Sequence, residues 1–97
     1  MSRVTNKPYY VYVLWSDTGQ RFYIGISDSP ADRLAQHNNG IQRAWTSRYR
    51  PWRIVHSEVF PTYSDARRRE IELKSMKGGA GFFSKTGLDP AHFPRGS

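Results

Sequence analysis

Five side chains in this sequence of 97 residues have the types and the order needed to act together on a phosphodiester. They are Tyr12, Tyr23, Arg33, His37 and Glu70. A phenol or a neutral histidine can take part in removing a proton from water near pH 7. An arginine can stabilise charge that develops on a phosphate, and one carboxylate can hold Mg²⁺ whose other positions are filled by waters and phosphate oxygens. The set predicts a phosphodiester-cutting site with one metal ligand.

Two runs of strand-forming residues joined by a turn predict a β-hairpin that would position both tyrosines. Residues 9–15 and 21–26 are rich in Tyr, Val, Ile and Trp, and residues 17–20 include the turn formers Asp and Gly. Side-chain alternation gives the hairpin one wholly apolar face, the predicted core face, made of Val11, Val13, Trp15, Phe22, Ile24 and Ile26. The opposite face carries Tyr10, Tyr12, Leu14, Tyr23 and Gly25.

In a hairpin with that turn, Tyr12 faces Gly25, and Tyr12 and Tyr23 are diagonal neighbours. Gly25 would leave an open patch where a substrate backbone could approach. Two interpretations follow: a pair of phenols at a reactive site, or ordinary half-buried sheet residues beside a bulge.

The spacing of Arg33 and His37 places both on one side of a predicted helix, since residues four apart are neighbours on a helix surface. Ser29-Pro30 is a helix-start signal, and Asn39-Gly40 is a helix-end signal. Ala31, Leu34 and Ala35 are expected to form the buried side, with Arg33 and His37 flanking it. The alternative for the pair is a solvated basic surface without a chemical task.

Glu70 interrupts the apolar stripe of a second predicted helix, over about residues 65–77. Ala66 and Leu73 belong to that stripe, and Glu70 lies between them on the same side. A carboxylate there is costly unless it is ion-paired or bound to a cation. Glu70 is therefore either a metal ligand or the partner of an arginine such as Arg67 or Arg69.

The remaining chain completes a small α+β layer structure. Residues 52–60 predict a third strand, and residues 41–53 predict an arginine-rich loop. Phe82-Phe83 would form a short turn or helix, and a tail would begin at about residue 88. The order is thus strand, strand, helix, strand, helix, with one further short helix, in a single domain over residues 1–97 with its core at about 9–77.

Composition favours a nucleic-acid partner, because the net charge is +7 and 14% of the residues are aromatic. The nucleic-acid-binding candidates are Arg43, Arg48, Arg50, Arg53, Arg67 and Lys74. Either these side chains contact phosphates or they are simply solvated. Trp52, within the same stretch, is expected in the core.

The absence of cysteine excludes a disulfide framework and a thiolate metal site, and the three histidines lack zinc-site spacing. No apolar run is long enough to span a membrane, and the first residues lack the apolar segment of a signal peptide. A cytoplasmic protein without membrane attachment is expected.

The motifs resemble those of the GIY-YIG nuclease superfamily, specifically its small standalone, single-domain branch. Tyr10-Val11-Tyr12 stands where the family has Gly-Ile-Tyr, and Tyr23-Ile24-Gly25 matches the second motif. Residues 25–38 and 66–74 are similar to the same branch, so that the resemblance covers about residues 9–77.

This resemblance implies a three-stranded antiparallel sheet flanked by helices and a divalent-metal-dependent hydrolysis of DNA. Tyr12 would be the general base or would orient the attacking water, and Tyr23 would support it and contact the phosphate. Arg33 would stabilise the transition state, and His37 would help to deprotonate the tyrosine or the water. Glu70 would bind a single Mg²⁺ or Mn²⁺ ion.

The leading hypothesis is therefore a DNA endonuclease, with DNA repair or recombination as its setting and a protein partner as a source of specificity. The alternative is a nucleic-acid-binding module that keeps the nuclease fold with little or no turnover. It is motivated by the asparagine that several lineages carry late in the domain, because the last asparagine here is Asn39. A third hypothesis is a subunit whose basic surface docks an acidic protein.

Overall fold

The computed structural model describes residues 7–39 and 45–94, and its elements follow the predicted order. The strands are β1 (Tyr9–Ser16), β2 (Arg21–Ser27) and β3 (Trp52–Phe60), and the helices are α1 (Pro30–Asn39), α2 (Tyr63–Ser75) and α3 (Ala80–Thr86). Short 3₁₀ helices at Trp45–Tyr49 and Pro90–His92 lie in the segments expected to be a loop and a tail. Thr62 caps α2, since its hydroxyl accepts from the Asp65 N–H.

The sheet is antiparallel with the order β2-β1-β3, which confirms the α+β fold predicted from the sequence. The hairpin has the expected register: Tyr12 pairs with Gly25 and Leu14 with Tyr23. A hydrogen bond of 2.8 Å from the Gln20 N–H to the Ser16 carbonyl closes the turn. The pairing of β1 with β3 shifts between Val13 and Leu14, so β1 is irregular only on that side.

Helices cover both faces of the sheet. The predicted apolar face packs against α2 and α3, in a core that contains Val11, Val13, Trp15, Phe22, Ile24, Ala66, Leu73, Phe82 and Phe93. Phe93 belongs to the segment expected as a tail, yet its ring lies 5.2 Å from that of Trp15. On the opposite face, a smaller cluster of Tyr12, Leu14 and Trp52 packs against Leu34 of α1.

The orientation of α1 differs from the prediction. His37 is the buried residue of this helix, Arg33 and Leu34 are half-buried, and Ala31 and Ala35 are exposed. The helix therefore turns its longer polar side chains toward the sheet. It can do so because the phenol-bearing face offers hydrogen-bond partners, so burial of a polar group there is compensated. The expected buried side was right for Leu34, which packs against the smaller cluster, and wrong for Ala31 and Ala35.

Candidate active site

Tyr12 lies at the centre of the polar cluster on the face covered by α1. Its side chain has no solvent exposure, and its ring centroid is 6.2 Å from that of Tyr23. The phenol passes directly over Gly25 of the neighbouring strand, where a Cβ atom would lie only 2.7 Å from the Tyr12 oxygen. Gly25 is thus required for space, and the patch that its missing side chain opens is filled by the phenol itself.

His37 is within reach of both phenols. Its Nε2 atom lies 3.4 Å from the Tyr12 hydroxyl, and its ring centroid is 4.7 Å from that of Tyr23. Burial, together with the positive charge of Arg33, lowers the pKa of His37 below its usual value of 6.5. The imidazole is therefore neutral at pH 7 and keeps one nitrogen available as a proton acceptor.

Arg33 acts on the same phenol. Burial raises the pKa of Tyr12 above its usual value of 10.0, and a hydrogen bond from Arg33 partly offsets that effect. One Arg33 nitrogen, Nη1, also donates to the Gln36 side chain at 3.2 Å. The buried Nε atom has no hydrogen-bond partner within the described part of the chain. Arg33 thus sits in the cluster with hydrogen-bonding capacity left over.

Glu70 is nearly buried, with 6% of its surface exposed, and both of its carboxylate oxygens are ion-paired. Oε1 accepts from Arg67 at 2.5 Å, and Oε2 lies 3.0 Å from Lys74 Nζ. The predicted ion pair with Arg67 is therefore present, while Arg69 binds other carboxylates. Arg67 and Lys74 were also predicted to contact nucleic acid. In the structure, the charged groups of both side chains form ion pairs with Glu70.

The charge of Glu70 nevertheless reaches the tyrosine cluster. Besides burial, this carboxylate raises the pKa of the Tyr12 phenol. The structure thus gathers Tyr12, Tyr23, Arg33 and His37 in one cluster and places the Glu70 carboxylate within electrostatic range of it.

A cleft opens beside this cluster at the outer edge of β2. Its volume is about 290 Å³, and it is lined by Tyr23, Ile24, Lys74 and Lys77. Since neighbouring strand residues point to opposite faces, a cleft that touches both Tyr23 and Ile24 extends around the edge of the sheet. The cleft therefore joins one of the phenols to the lysine that pairs with Glu70.

The predicted nucleic-acid-binding arginines of the loop are exposed where the structure describes them. Arg48 and Arg50 are exposed, and Arg53 makes a 3.5 Å ion pair with Asp17 between two largely solvated side chains. Such a pair contributes little and can be exchanged for a phosphate contact. Arg43 lies outside the described residues.

Sequence reasoning missed Thr46, which the structure places next to His37. Its Oγ1 atom lies 3.0 Å from His37 Nδ1, and the residue is fully buried. No periodicity marks a buried threonine inside a stretch rich in arginine. Trp52, buried as predicted, could have suggested it only indirectly, through the hydrogen bond of 2.7 Å that its indole donates to the Thr46 carbonyl.

The family model of the GIY-YIG catalytic domain matches residues 8–80. The chain belongs to this family. The GIY-YIG family points to nuclease activity in general and to DNA binding, and its nucleases generally use divalent metal ions. The resemblance inferred from the tyrosine motifs is thereby confirmed.

Similar GIY-YIG relatives carry names that state no activity. Proteins named UPF0213 from Staphylococcus saprophyticus and Enterococcus faecalis are 34% and 36% identical over 68 and 72 residues, which cover 70% and 72% of this chain and 82% and 81% of theirs. A solution NMR structure of a UPF0213 protein from Bacillus halodurans is 30% identical, with a TM-score of 0.44, and covers 72% of this chain and 73% of its own.

Glu70 is the candidate metal ligand of this GIY-YIG protein, as a single carboxylate. Over residues 7–39 and 45–94, no three His, Asp or Glu side chains come together as a metal-binding group. Glu70 fits a single Mg²⁺ or Mn²⁺ ion, because a carboxylate offers about four lone-pair directions and the two ion pairs leave some of them open.

Over residues 7–39 and 45–94, no helix is both long enough and apolar enough to cross a membrane.

Proposed function

We propose that this GIY-YIG protein is a divalent-metal-dependent endonuclease that hydrolyses DNA phosphodiester bonds. One observation carries the proposal: the Tyr12 phenol is contacted by Arg33 and His37 while the Glu70 charge also acts on it. A buried phenol surrounded by a proton acceptor, a fixed cation and a fixed anion has no evident purpose in packing, because an apolar side chain would fill the space at lower cost.

The proton from the attacking water would pass through Tyr12 to His37. The Tyr12 oxygen accepts a proton from water as its own proton moves to His37 Nε2, 3.4 Å away. The water oxygen then bonds to phosphorus, the bond to the leaving oxygen breaks, and that oxygen takes a proton from solvent. Arg33 stabilises the charge that develops on the phosphoryl oxygens, and Tyr23, which lines the cleft, contacts the phosphate.

The burial of Tyr12 places one condition on this role. In the described state no bulk water touches the phenol, and Arg33 hydrogen-bonds to it. A bound phosphate would draw the Arg33 guanidinium from the phenol, since a charge-assisted pair with phosphate is stronger than a bond to a neutral hydroxyl. Substrate binding would thus uncover the Tyr12 oxygen at the moment when it is needed.

Glu70 is the residue that would hold the metal ion. When bound, Mg²⁺ or Mn²⁺ supplies Lewis-acid stabilisation of negative charge on the phosphodiester. The task requires a negative charge, and the cationic groups of Arg67 and Lys74 each contact one of the carboxylate oxygens.

The test compares Glu70→Gln with Glu72→Gln on duplex, flap and branched DNA in the presence of Mg²⁺ or Mn²⁺. Both substitutions remove one charge from α2, but Glu72 pairs with Arg69 and Lys85 away from the cluster. We expect Glu70→Gln to reduce cutting by more than about 100-fold while DNA binding persists, and Glu72→Gln to cut normally. Undiminished cutting by Glu70→Gln would contradict the assignment. Preferential cutting of flap or branched DNA would support a role in repair or recombination.

A second candidate function is nucleic-acid binding with little or no turnover. The closed state of the cluster favours it, because Tyr12 is inaccessible and both Glu70 oxygens are ion-paired. DNA binding that weakens with salt, without cleavage of any substrate under either metal, would support this candidate over the first.

A further inference from the structure

We propose that Thr46 is a positioning residue of the active site: its hydroxyl accepts a hydrogen bond from the Nδ1–H of His37 and so leaves Nε2 as the acceptor for the Tyr12 proton. The kinetic part of this inference rests on the proposed nuclease function. The assignment of the His37 proton does not depend on it, so the two can fail separately.

The three side chains form a linear chain that is closed to solvent. Thr46 Oγ1 lies 3.0 Å from His37 Nδ1, and His37 Nε2 lies 3.4 Å from the Tyr12 hydroxyl. Thr46 and Tyr12 are 0% exposed and His37 is 1% exposed. Because bulk water cannot reach either nitrogen, the two hydroxyl groups alone determine which nitrogen carries the proton.

The direction of the chain follows from Arg33. A guanidinium can only donate, so the Tyr12 oxygen accepts the hydrogen bond from Arg33. If His37 Nε2 also donated to that oxygen, the buried Tyr12 O–H would have no acceptor among the described residues. The O–H is therefore assigned as the donor to His37 Nε2, which is then unprotonated. A neutral imidazole has one N–H group, which therefore lies at Nδ1 and donates to Thr46.

Hydrogen bonds hold the backbone at and around Thr46 and so position its side chain. The Trp52 indole donates to the Thr46 carbonyl at 2.7 Å, and the Asn38 amide bonds to both the N–H and the carbonyl of Trp52. At the other end of the 3₁₀ helix, Ser16 donates to the Tyr49 carbonyl at 2.6 Å. Hydrogen bonds thus link the segment that carries Thr46 to β3, to α1 and to the hairpin. A residue that orients another side chain needs such support.

The position of Thr46 also fits the protonated state of His37. After proton transfer to Nε2, the His37 imidazolium would donate from both nitrogens. Nδ1 would donate to the Thr46 hydroxyl and Nε2 to the Tyr12 oxygen. Neither donor would be buried without a partner, which is the condition for forming this cation in the interior. An apolar residue at position 46 would leave the Nδ1 proton without an acceptor.

The decisive measurement is the ¹⁵N NMR spectrum of the His37 side chain in the whole protein, assigned by its loss in His37→Gln. We expect the wild type to carry its proton on Nδ1. Thr46→Val, which has the same shape without the hydroxyl, should shift His37 toward the Nε2-protonated form, and Thr46→Ser should keep the wild-type form. A wild-type proton on Nε2, or an unchanged tautomer in folded Thr46→Val, would overturn the inference even if no DNA is cut. If Thr46→Val does not fold, the wild-type spectrum alone decides.

Kinetics test whether the tautomer matters for the reaction. We expect Thr46→Val to lower kcat roughly 10- to 100-fold with little change in KM, and Thr46→Ser to restore most of the rate. The wild-type rate should fall as the pH drops through the His37 pKa, below 6.5, and this acid limb should be weakened or displaced in Thr46→Val. A shifted tautomer with unchanged kcat would overturn the positioning role while leaving the nuclease function intact.

Discussion

At the scale of single residues, the site depends on how closely Tyr12 approaches Gly25. The phenol oxygen occupies the space that any larger residue at position 25 would need, with 2.7 Å to an added Cβ atom. The contact is buried on both sides, so neither group can move aside into solvent. Gly25 therefore sets the position of the phenol relative to His37.

We predict that Gly25→Ala displaces the Tyr12 phenol and lowers cutting more than about 10-fold, at a cost of about 1–3 kcal/mol in the free energy of unfolding. Denaturant unfolding and cleavage assays on the same preparation measure both effects. Gly81→Ala is the matched control, because its added Cβ would meet only the flexible side chain of Met76. Wild-type cutting by Gly25→Ala would show that the phenol position is unimportant.

The candidate site residues and the sheet face that carries the tyrosines could be named from the sequence, and their environment could not. Alternation along the hairpin placed Tyr12, Tyr23 and Gly25 on one face, and the observed register confirms it. Thr46 was missed because its contact with His37 is purely tertiary. The hydroxyl has no local pattern to distinguish it from a surface threonine.

At the scale of elements, α2 carries both the proposed metal ligand and its competitors. Arg67 and Lys74 lie three residues before and four after Glu70, the spacing at which helix side chains meet. In the absence of a metal ion, the negative charge of the carboxylate is therefore balanced by two cationic side chains of its own helix. Any divalent cation must share the Glu70 oxygens with these two side chains.

We predict that Lys74→Met strengthens Mn²⁺ binding to the DNA-free protein by roughly 3- to 10-fold, because removal of one like charge near the site contributes about 1 kcal/mol. Isothermal titration calorimetry measures the affinity, with Glu70→Gln defining the background. Lys85→Met is the control, since Lys85 pairs with Glu72 and not with Glu70. Unchanged or weaker binding in Lys74→Met would argue against Glu70 as the metal ligand.

Element boundaries were predictable where turn and cap residues mark them, whereas the rotation of α1 was not. The rule that small and apolar residues face inward placed Ala31 and Ala35 on the buried side. The observed helix buries His37 because the sheet face below it is lined by phenols. The rotation thus depends on hydrogen bonding between elements, which no pattern within α1 contains.

At the scale of the whole molecule, the net charge of +7 should dominate affinity for DNA. Arg48 and Arg50 are exposed and available to phosphates. Several other cations are already committed to carboxylates, such as Arg69, which bonds Glu58 and Glu72. The electrostatic contribution will therefore be smaller than the count of basic residues suggests.

We predict weak binding to duplex DNA that falls linearly with salt on logarithmic axes, with little preference for sequence. Arg50→Gln should reduce the magnitude of the salt slope by about one unit, the value for one phosphate contact. Fluorescence anisotropy over a range of salt concentrations measures the slope. Lys85→Gln, which removes an equal charge from α3, should leave the slope unchanged, and an equal change in both variants would remove Arg50 from the interface.

The cleft at the outer edge of β2 has a consequence for the topology of the substrate. It follows the border of the sheet between Tyr23 and Lys74, and it is not the floor of an enclosed pocket. A strand can be laid across such a border anywhere along its length, whereas a closed pocket must be threaded from a terminus. A covalently closed circle, which offers no terminus at all, would therefore be as accessible to this protein as a linear fragment.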